Sequence, residues 1–290
     1  MSSAEESDAC KSVLAVAKSK VRRLTVLGGA GFVGNHFIRK MQQEGFEVSS
    51  PAKGDESFLD SDLGYVIYAV GLTADYAKRP FETVEAHVGL LSRVLARGRF
   101  QSLVYLSSTR LYDGTAGVAR EANSLHLHPS NPRHIFDLSK ALGESLCLQT
   151  GKAARVARLS SVYADDLSGN NFLHTLVRAS AARCATLDTS PALARDYIDV
   201  DDVTTALLAI ATQGRRPIYN VASGRNITNA EVIDLLRREG GDNVALIRET
   251  PTETAPVIDV SALAEDFGVR PRPLSDRVAA LLKVARGEVR

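Results

Sequence analysis

Short apolar runs alternate with longer segments of helical periodicity along the first half of the chain. The apolar runs predict strands at 23–27, 47–49, 65–70, 102–106 and 154–158. The helical periodicity predicts helices over 35–44, 81–97 and 137–149. Because strands that alternate with helices pair in parallel through right-handed crossovers, this order predicts an α/β fold with a doubly wound parallel sheet.

The pattern loosens after residue 163. The segment 165–171 is rich in Asp, Ser, Gly and Asn, which predicts a loop. A helix over 172–182, a strand over 218–221 and a helix over 228–239 are predicted beyond it. Thr228 stands three residues before Glu231, which is the spacing of a capping box at the start of the last helix. The second half of the chain is therefore predicted to form a smaller lobe of mixed α/β structure.

Three glycines follow the first predicted strand at regular spacing. Gly28, Gly31 and Gly34 form a G-x-x-G-x-x-G turn that also contains Phe32 and Val33. In such a turn one glycine permits the tight bend, another lets the backbone approach a pyrophosphate, and the third lets helix and strand pack closely. The N-terminus of the following helix then faces the phosphates. The sequence therefore predicts a Rossmann domain that binds NAD or NADP.

These patterns predict a division of the chain into three parts. Residues 1–22 form a ragged or weakly helical N-terminal extension. The dinucleotide-binding Rossmann domain covers 23–164, and its sheet is completed by about 200–222. The remaining segments, 165–199 and 223–290, form the substrate-binding lobe, which we expect beside the carboxyl ends of the strands, where ligands bind in such folds.

The choice between NAD and NADP is left open by the second predicted strand. NAD enzymes place an acid after this strand to bind the ribose, and the stretch 48–53 contains none. Lys53 would tolerate a 2′-phosphate, which favours NADP, but it could equally be a solvated loop lysine. Asp60 is a candidate partner for the adenine amino group, or a surface aspartate in a turn.

Composition excludes several classes of partner. The 290 residues include 35 Lys plus Arg and 34 Asp plus Glu, so we expect neither nucleic acid nor a membrane as partner. The three cysteines, Cys10, Cys147 and Cys184, are far apart and odd in number, which argues against a disulfide framework or a zinc site. The six histidines are scattered, so no metal is expected. Without a signal peptide or an apolar run of about 20 residues, we expect a cytoplasmic protein.

Motifs along nearly the whole chain, from Leu24 to about Leu281, resemble the NAD-dependent epimerase/dehydratase family of extended short-chain dehydrogenases/reductases. Besides the glycine turn, they are Val66-Ile-Tyr-Ala-Val-Gly71, Leu106-Ser-Ser-Thr-Arg-Leu-Tyr112, Ser139-Lys140-x-x-Gly143-Glu144, Arg158-x-x-Ser161-Val-Tyr163, Arg195-Asp-Tyr-Ile-Asp-Val-Asp-Asp202 and Tyr219-Asn-Val-Ala-Ser-Gly224. Their order and spacing together carry the resemblance. It implies an enzyme that moves a hydride between a nicotinamide and a nucleotide-diphosphate sugar.

The resemblance implies a catalytic tyrosine one helical turn before a lysine, together with a serine or threonine. Ser108 matches the hydroxyl residue and Lys140 matches the lysine, which also contacts the cofactor. The tyrosine position is occupied by Phe136, which has the ring but no oxygen and cannot carry a proton. Gly71 and Thr73 would line the cofactor site near the nicotinamide.

Phe136 leaves three interpretations open. The chain could be an engineered Tyr-to-Phe variant, impaired but otherwise intact. It could be a natural enzyme that uses another acid, with Tyr112, His134 or Thr109 as candidates. It could also be a pseudoenzyme or scaffold subunit that binds NAD(P) without turnover.

The resemblance also narrows the reaction. The family's dehydratases carry an Asp-Glu pair after the catalytic hydroxyl, and here Thr109 and Arg110 occupy those positions. This disfavours dehydration and leaves epimerisation, or reduction of a 4-keto sugar, in deoxysugar or polysaccharide synthesis. Candidate substrate contacts are Thr109, Asn170, Asn171 and Arg195, the last of these to the diphosphate. Family members commonly form homodimers through helices that include the one carrying Lys140.

Overall fold

A computed structural model describes residues 3–169, 171–182, 185–248 and 255–288 of the protein. In chain order the strands are β1 (Leu24–Leu27), β2 (Val48–Ser49), β3 (Tyr65–Tyr68), β4 (Ser102–Ser108), β5 (Val118–Ala119), β6 (Ala154–Leu159), β7 (Ser161–Tyr163), β8 (Ala185–Leu187), β9 (Ala194–Asp199), β10 (Ile218–Val221), β11 (Asn226–Thr228), β12 (Val244–Leu246) and β13 (Val257–Ile258).

The α-helices of the described ranges are α1 (Ser3–Lys20), α2 (Phe32–Gln43), α3 (Pro80–Val84), α4 (Leu90–Arg97), α5 (His134–Gln149), α6 (Phe172–Ala181), α7 (Val200–Gln213), α8 (Asn229–Arg238), α9 (Ser261–Phe267) and α10 (Val278–Ala285). A π-helical turn, Glu85–Gly89, joins α3 to α4. Short 3-10 turns cover Ser57–Asp60, Thr109–Tyr112 and Leu274–Asp276.

Six parallel strands form the main sheet, in the order β10-β6-β4-β3-β1-β2. The order reverses on either side of β1, as expected when helices cover both faces of a doubly wound sheet. The predicted α/β fold class is therefore confirmed. The carboxyl ends of β1, β3 and β4 lie at one edge, so the segments that follow these strands meet there.

Two element boundaries differ from prediction in ways that affect this edge. β4 extends two residues beyond the predicted strand and ends at Ser108, because its ladder with β6 continues to the pair Ser108 and Leu159. α5 begins at His134 instead of 137, which places Phe136 in its first turn. The predicted helix over 81–97 is present, but the π-helical turn at Glu85–Gly89 interrupts its regular hydrogen bonds.

The glycine turn after β1 is shaped by close backbone contacts. Gly28 has a φ of +88°, a conformation that L side chains rarely adopt. A β-carbon at Gly34 would lie 2.4 Å from the carbonyl oxygen of Gly28. Gly34 therefore allows α2 to start directly against the end of β1, as the sequence pattern predicts.

The helix α7 was not predicted from the sequence. Ten of its residues are buried, and it packs against β3, β4 and β6 of the main sheet as well as against α1 and α2. A helix covered on several sides carries apolar residues around most of its surface, so its sequence shows no clear helical periodicity. Asp199 caps it by accepting a hydrogen bond from the backbone N–H of Asp201 (2.8 Å).

The N-terminal segment was predicted to be ragged or weakly helical, and the structure has the helix α1 there. α1 packs along α7, with Val13 and Ala17 fully buried in the main core. This packing has a simple physical reason: α7 presents apolar residues on the side away from the sheet, and α1 covers them. The weak amphipathic pattern of the first 20 residues gave little indication of this partner.

The smaller lobe contains a three-stranded sheet in the order β11-β9-β7, with α6, α8 and α10 packed around a second core. The capping box at Thr228 and Glu231 is confirmed, since each side chain bonds to the other residue's backbone N–H. α9 departs from the expected division, because Ala262 and Leu263 pack into the core of the main sheet beside β10. Among the described helices, none is long and apolar enough to cross a membrane.

A charge placed in the contact between α1 and α7 tests whether α1 is part of the folded core. We expect Val13→Asp to lower the free energy of unfolding by about 3 kcal/mol, because it buries an unpaired carboxylate. Urea unfolding followed by circular dichroism measures the change. The matched control is Ser12→Asp on the exposed side of the same helix, where little change is expected. Equal effects of the two substitutions would contradict the packing of α1.

Candidate active site

The candidate site lies where α5 crosses the carboxyl end of β4. Ser108 ends β4, and Gly71 lies in the loop that follows the neighbouring strand β3. α5 packs against β4 and β6 and carries Phe136 and Lys140 one turn apart. A β-carbon on Gly71 would lie 3.5 Å from Lys140 Nζ, so the predicted residues of β3, β4 and α5 meet at one place.

Lys140 is buried, and its amine contacts a backbone carbonyl and an aromatic ring. Its Nζ donates a hydrogen bond to the carbonyl oxygen of Leu106 (2.7 Å) and lies 4.8 Å from the centroid of the Tyr105 ring. Burial lowers the pKa of the Lys140 amine to about 7, against the opposing influence of Glu144. The lysine is therefore held where it can change its charge near neutral pH.

A buried polar network lies beneath Lys140 and fixes α5 on the sheet. Glu144 accepts two hydrogen bonds from Arg158 on β6 (2.9 and 2.6 Å) and one from the hydroxyl of Ser107 (2.5 Å). Arg158 also donates to the Tyr112 hydroxyl (2.7 Å), which in turn donates to Asn220 Oδ1 (2.7 Å). These motif residues of the sequence thus form one interlocked scaffold and not a set of separate ligands.

Phe136 stands in an aromatic cluster, only 3% exposed. Its ring contacts the His87 ring edge-to-face at 5.2 Å and the Tyr76 ring at 5.3 Å between centroids. The guanidinium of Arg110 lies 4.6 Å above the Phe136 ring and 5.1 Å from that of Tyr76. A cation packed on two aromatic faces is a favourable arrangement, so Arg110 helps to hold this cluster together.

His87 is fully buried in the π-helical turn and is held neutral. Its Nδ1 lies 2.8 Å from the hydroxyl of Ser139, which donates to the Phe136 carbonyl, so Nδ1 is assigned as the donor. Its Nε2 accepts a hydrogen bond from the backbone N–H of Leu72 (3.4 Å). Burial, and next the charge of Lys140, lower the pKa of His87 to about 2. His87 therefore ties the loop after β3 to α5.

Arg110 connects this cluster to Ser108. The backbone N–H of Arg110 donates to Ser108 Oγ (3.2 Å), and its side chain is paired at 3.5 Å with the buried carboxylate of Asp137. Burial raises the pKa of Asp137, and Arg110 opposes that shift. Within the described part of the chain, the Ser108 hydroxyl donates to no protein acceptor. Ser108 is therefore able to donate a hydrogen bond to a bound molecule.

Three residues were candidates for the acid: Tyr112, His134 and Thr109. In the structure each of them forms hydrogen bonds with other parts of the protein. Tyr112 is fully buried, with its hydroxyl in the Arg158 network. His134 accepts a hydrogen bond from the backbone N–H of His128 (2.7 Å) at the exposed start of α5. The hydroxyl of Thr109 faces the carbonyl of Leu159 (3.4 Å). Sequence reasoning missed Tyr76, because a lone tyrosine in a loop of no recognised motif carries no signal.

The predicted cofactor residues lie along the same edge, except Asp60, which precedes β3 and contacts residues that precede β4, so it lies at the amino ends of these strands. Gly31 is exposed at the N-terminus of α2, where no side chain caps the helix, while Gly34 is buried and Phe32 and Val33 are partly buried. Lys53 and Thr73 are exposed in loops. Asp60 is exposed in a short 3-10 turn and is paired with Arg97 at 3.0 Å, so the structure gives this side chain a protein partner.

The predicted substrate residues lie in the smaller lobe, apart from Thr109. Arg195 on β9 stacks on the Phe172 ring at 4.8 Å, and its Nη1 is buried with no hydrogen-bond partner. Asn171 caps α6 by accepting from the His174 N–H and also donates to the Val162 carbonyl, so its amide is used within the protein. Asn170 lies outside the described residues.

A cavity of about 380 Å³ opens in the same lobe. Its walls are formed by β9, β11, α8 and the segment 271–275, and Tyr197 lines it with a buried hydroxyl that has no hydrogen-bond partner. Two arginines, Arg225 and Arg238, stand at its border. None of Ser108, Phe136 and Lys140 lines this cavity, so it is separate from the candidate site on α5 and β4. In the described residues no group of three or more His, Cys, Asp or Glu side chains could hold a metal ion.

Comparison with known proteins decides the family. The sequence profile of the NAD dependent epimerase/dehydratase family matches residues 24–222. The chain belongs to this family. The resemblance read from the motifs is therefore confirmed.

Named relatives in this family differ in their reactions. The chain is 30% identical to GDP-6-deoxy-D-mannose reductase of Pseudomonas aeruginosa over an alignment of 248 residues, and the match covers 74% of the chain and 79% of that protein. It is 23% identical to UDP-glucuronic acid decarboxylase 1 of Danio rerio over an alignment of 245 residues. This match covers 72% of the chain but only 57% of the relative.

The fold also matches a solved tyrosine-to-phenylalanine mutant. This is UDP-glucuronic acid 4-epimerase from Bacillus cereus, in complex with UDP-4-deoxy-4-fluoro-glucuronic acid and NAD, with a TM-score of 0.76 and 16% identity. The match covers 92% of this chain and 100% of that one. At this identity the likeness shows the shared fold alone.

Replacing Lys140 with methionine tests whether the buried Lys140 amine loses its proton near neutral pH in the folded protein. Between about pH 7 and 10 the unfolded chain holds the Lys140 proton and the folded chain does not, so this group makes the free energy of unfolding rise with pH. Below pH 7 both states are protonated, and the folded state carries the full cost of burying the charge. We expect Lys140→Met to be more stable than the unaltered protein at pH 6 by about 1 kcal/mol or more, with a smaller gain at pH 10.

Urea unfolding at several pH values measures this difference. The control is Lys152→Met, which removes an exposed lysine and should show no such trend. A gain that stays constant from pH 6 to pH 10 would show that Lys140 does not lose its proton in the folded protein.

Proposed function

We propose that the protein is an NAD(P)-dependent enzyme that epimerises a nucleotide-diphosphate sugar or reduces its 4-keto form, in deoxysugar or polysaccharide synthesis. The observation that carries this proposal is the meeting of Ser108 and Lys140 with the loop of Gly71 at one edge of the parallel sheet. In such sheets ligands bind beyond the carboxyl ends of the strands. The family's relatives act on nucleotide sugars, which supports the same substrate class.

The residues present fit a dinucleotide. The N-terminus of α2 has no capping side chain and no acidic residue in its first turn, so its positive end is available to a pyrophosphate. Gly31 leaves the approach to this helix end open. Gly28, Gly34, Phe32 and Val33 shape the turn, and Lys53, which follows β2, is the candidate at the adenosine end. Asp60 lies at the opposite edge of the sheet and is not assigned to the cofactor. The bound cofactor would supply or accept the hydride.

The chain's own groups orient the sugar oxygen and the cofactor ribose. Ser108 donates a hydrogen bond to the reacting sugar oxygen, since its hydroxyl has no protein acceptor. Lys140 stands beside Gly71, where it would hold the nicotinamide ribose, and in its protonated form it would stabilise negative charge that develops nearby. Thr73 lines the same side of the cleft. Phe136 contributes only apolar surface, so the unaltered chain is impaired relative to a member with tyrosine there.

The smaller lobe supplies the nucleotide half of the substrate site. Arg195 has an unpartnered buried nitrogen and a guanidinium that suits phosphate oxygens. Tyr197 lies two residues along β9, on the same face, and lines the neighbouring cavity. We assign the diphosphate to Arg195 and the nucleoside to this cavity, with Thr109 at the sugar end.

The protein is also proposed to form a homodimer. Phe81 on α3 is 86% exposed and Leu142 on α5 is 52% exposed, and the two helices pack side by side. Val84 and Leu148 extend this exposed apolar surface along the same helices. A symmetric contact between two copies buries the same patch on both, which is the commonest way to cover such a surface.

A second candidate function is a non-catalytic NAD(P)-binding subunit or scaffold. Phe136 is the observation that favours it, because the group that exchanges the proton in the family is absent. Such a protein would bind its cofactor and remain inactive after the tyrosine is restored.

The substitution Phe136→Tyr tests the proposed enzyme. We expect hydride transfer, followed by nicotinamide absorbance with a panel of nucleotide sugars, to rise on the order of 10²-fold, which is typical of one acid–base group. The matched control is Phe100→Tyr, which adds a hydroxyl far from α5 in sequence and outside the aromatic cluster. Mass spectrometry of the nucleotide released on denaturation identifies the cofactor: retained NAD supports an epimerase, and NADP supports a reductase.

Inactivity of both the unaltered chain and the Phe136→Tyr variant toward every nucleotide sugar that binds would overturn the enzyme proposal in favour of the scaffold. Absence of any bound or binding nicotinamide nucleotide would overturn both.

Light scattering after size exclusion tests the dimer. We expect the unaltered protein at about twice the chain mass of 31.2 kDa and Phe81→Glu near one chain mass, because the charge would be buried in the interface. Ile247→Glu, at an exposed apolar position of another surface, should leave the mass unchanged. A monomeric unaltered protein would contradict the proposal.

A further inference from the structure

One phenol stands beside Phe136 and is not part of any motif. Tyr76 lies in the loop between β3 and α3, is partly buried, and packs its ring on that of Phe136 with 5.3 Å between centroids. Its hydroxyl accepts a hydrogen bond from Arg110 Nη2 (3.4 Å) and donates to no acceptor within the described part of the chain. Its proton is therefore available to a bound molecule.

We propose that Tyr76 is the catalytic acid that exchanges a proton with the sugar oxygen in this chain, in place of the hydroxyl that Phe136 lacks. This inference rests on the proposed function and names the residue on which the turnover of the unaltered chain depends.

The loop that carries Tyr76 is held in place at several points. The Thr83 hydroxyl donates to the Tyr76 carbonyl (3.2 Å) and to the Arg79 carbonyl (2.8 Å). His87 accepts from the Leu72 N–H at the start of the loop and is tied to α5 through Ser139. The phenol is thus carried by a segment anchored to the same helix that carries Lys140, which is a requirement for a positioned acid.

Arg110 gives the Tyr76 hydroxyl a cationic neighbour. A guanidinium keeps its charge at all relevant pH values, and a cation at this distance stabilises the phenolate that remains once the proton has left. Arg110 is itself held by the Asp137 carboxylate and by two aromatic rings, so its position does not depend on a substrate. The backbone N–H of Arg110 bonds to Ser108 Oγ, so the proposed acid and the orienting hydroxyl share one residue.

The other tyrosines of the chain are unsuited to this role. Four direct their hydroxyls to protein acceptors: Tyr68 to Ala86, Tyr105 to His87, Tyr112 to Asn220 and Tyr219 to Asp266. Tyr163 and Tyr197 are buried in the core of the smaller lobe. Tyr65 begins β3 and so lies at the amino end of the strand, away from the candidate site.

The proton and electron balance is simple. In the reductive direction the keto carbon accepts a hydride from the reduced nicotinamide cofactor, and the keto oxygen takes the proton of the Tyr76 hydroxyl. The product is an alcohol, the cofactor is oxidised, and Tyr76 is left as a phenolate beside Arg110. Because Tyr76 is only partly buried, solvent returns its proton. In the oxidative direction the phenolate takes the proton of the sugar hydroxyl, and the hydride of the same carbon would go to the oxidised nicotinamide cofactor.

Turnover is measured for Tyr76→Phe in the unaltered chain and in the Phe136→Tyr background. We expect kcat of the unaltered chain to fall on the order of 10²-fold with KM little changed. In the Phe136→Tyr background the same substitution should change kcat by less than about threefold, because the phenol introduced at position 136 can then exchange the proton. Tyr65→Phe is the matched control, and it should leave kcat unchanged in both backgrounds.

A binding measurement gives a second readout that needs no turnover. Calorimetry compares UDP-glucose, dTDP-glucose and GDP-mannose with their free nucleoside diphosphates in the cofactor-loaded protein. For the tightest pair, Tyr76→Phe should weaken the nucleotide sugar roughly fivefold, the loss of one hydrogen bond, and leave the diphosphate unchanged. Equal effects on both ligands would indicate a structural change and would overturn the assignment.

The two proposals fail in different ways. Retained turnover in Tyr76→Phe overturns the role of Tyr76 and leaves the proposed function standing. So does an inactive unaltered chain whose Phe136→Tyr variant is active. Inactivity of both the unaltered chain and Phe136→Tyr overturns the proposed function, and the role of Tyr76 falls with it.

Discussion

The buried pair between Glu144 and Arg158 is the interaction on which the candidate site depends. It joins the middle of α5 to β6 and, through Ser107, to β4. Two opposite charges taken out of water are tolerated only when every polar atom finds a partner, and the added bonds to Tyr112 meet that condition. Because the pair fixes the rotation and height of α5, it also fixes where positions 136 and 140 stand over the strand ends.

The cluster above this pair shows how the site retains order without the family's phenol. The Phe136 ring is enclosed by His87, Tyr76 and the Arg110 guanidinium. His87 is neutral at all physiological pH values, so the positive charge of the site comes from Arg110 and, below about pH 7, also from Lys140. A site with these basic groups and a hydroxyl remains suited to an anionic, oxygen-rich ligand. This electrostatic character is the common requirement of cofactor and sugar nucleotide binding.

A second set of buried charges links the two parts of the molecule. Asp199, at the junction of β9 and α7, is paired with Arg272 at 3.3 Å and with Arg277 at 3.0 Å. Burial raises its pKa to about 6, with Arg272 opposing the shift. Asp196 accepts hydrogen bonds from the Ser223 and Gly224 N–H groups, which holds β9 to the segment after β10. The lobe that carries Arg195 is thereby set relative to the strands of the main sheet.

The amino-acid sequence by itself determined the parallel sheet, the glycine turn and the family, because these depend on local apolar runs and on residue types at short fixed spacings. It also identified Phe136 as a departure. Only the tertiary structure decided the surroundings of that ring, since Tyr76, His87 and Arg110 come from three separate segments and converge through packing. The helix α7 and its contact with α1 escaped prediction for the same reason: each depends on burial against a distant partner, and such burial leaves no clear periodic pattern in the sequence.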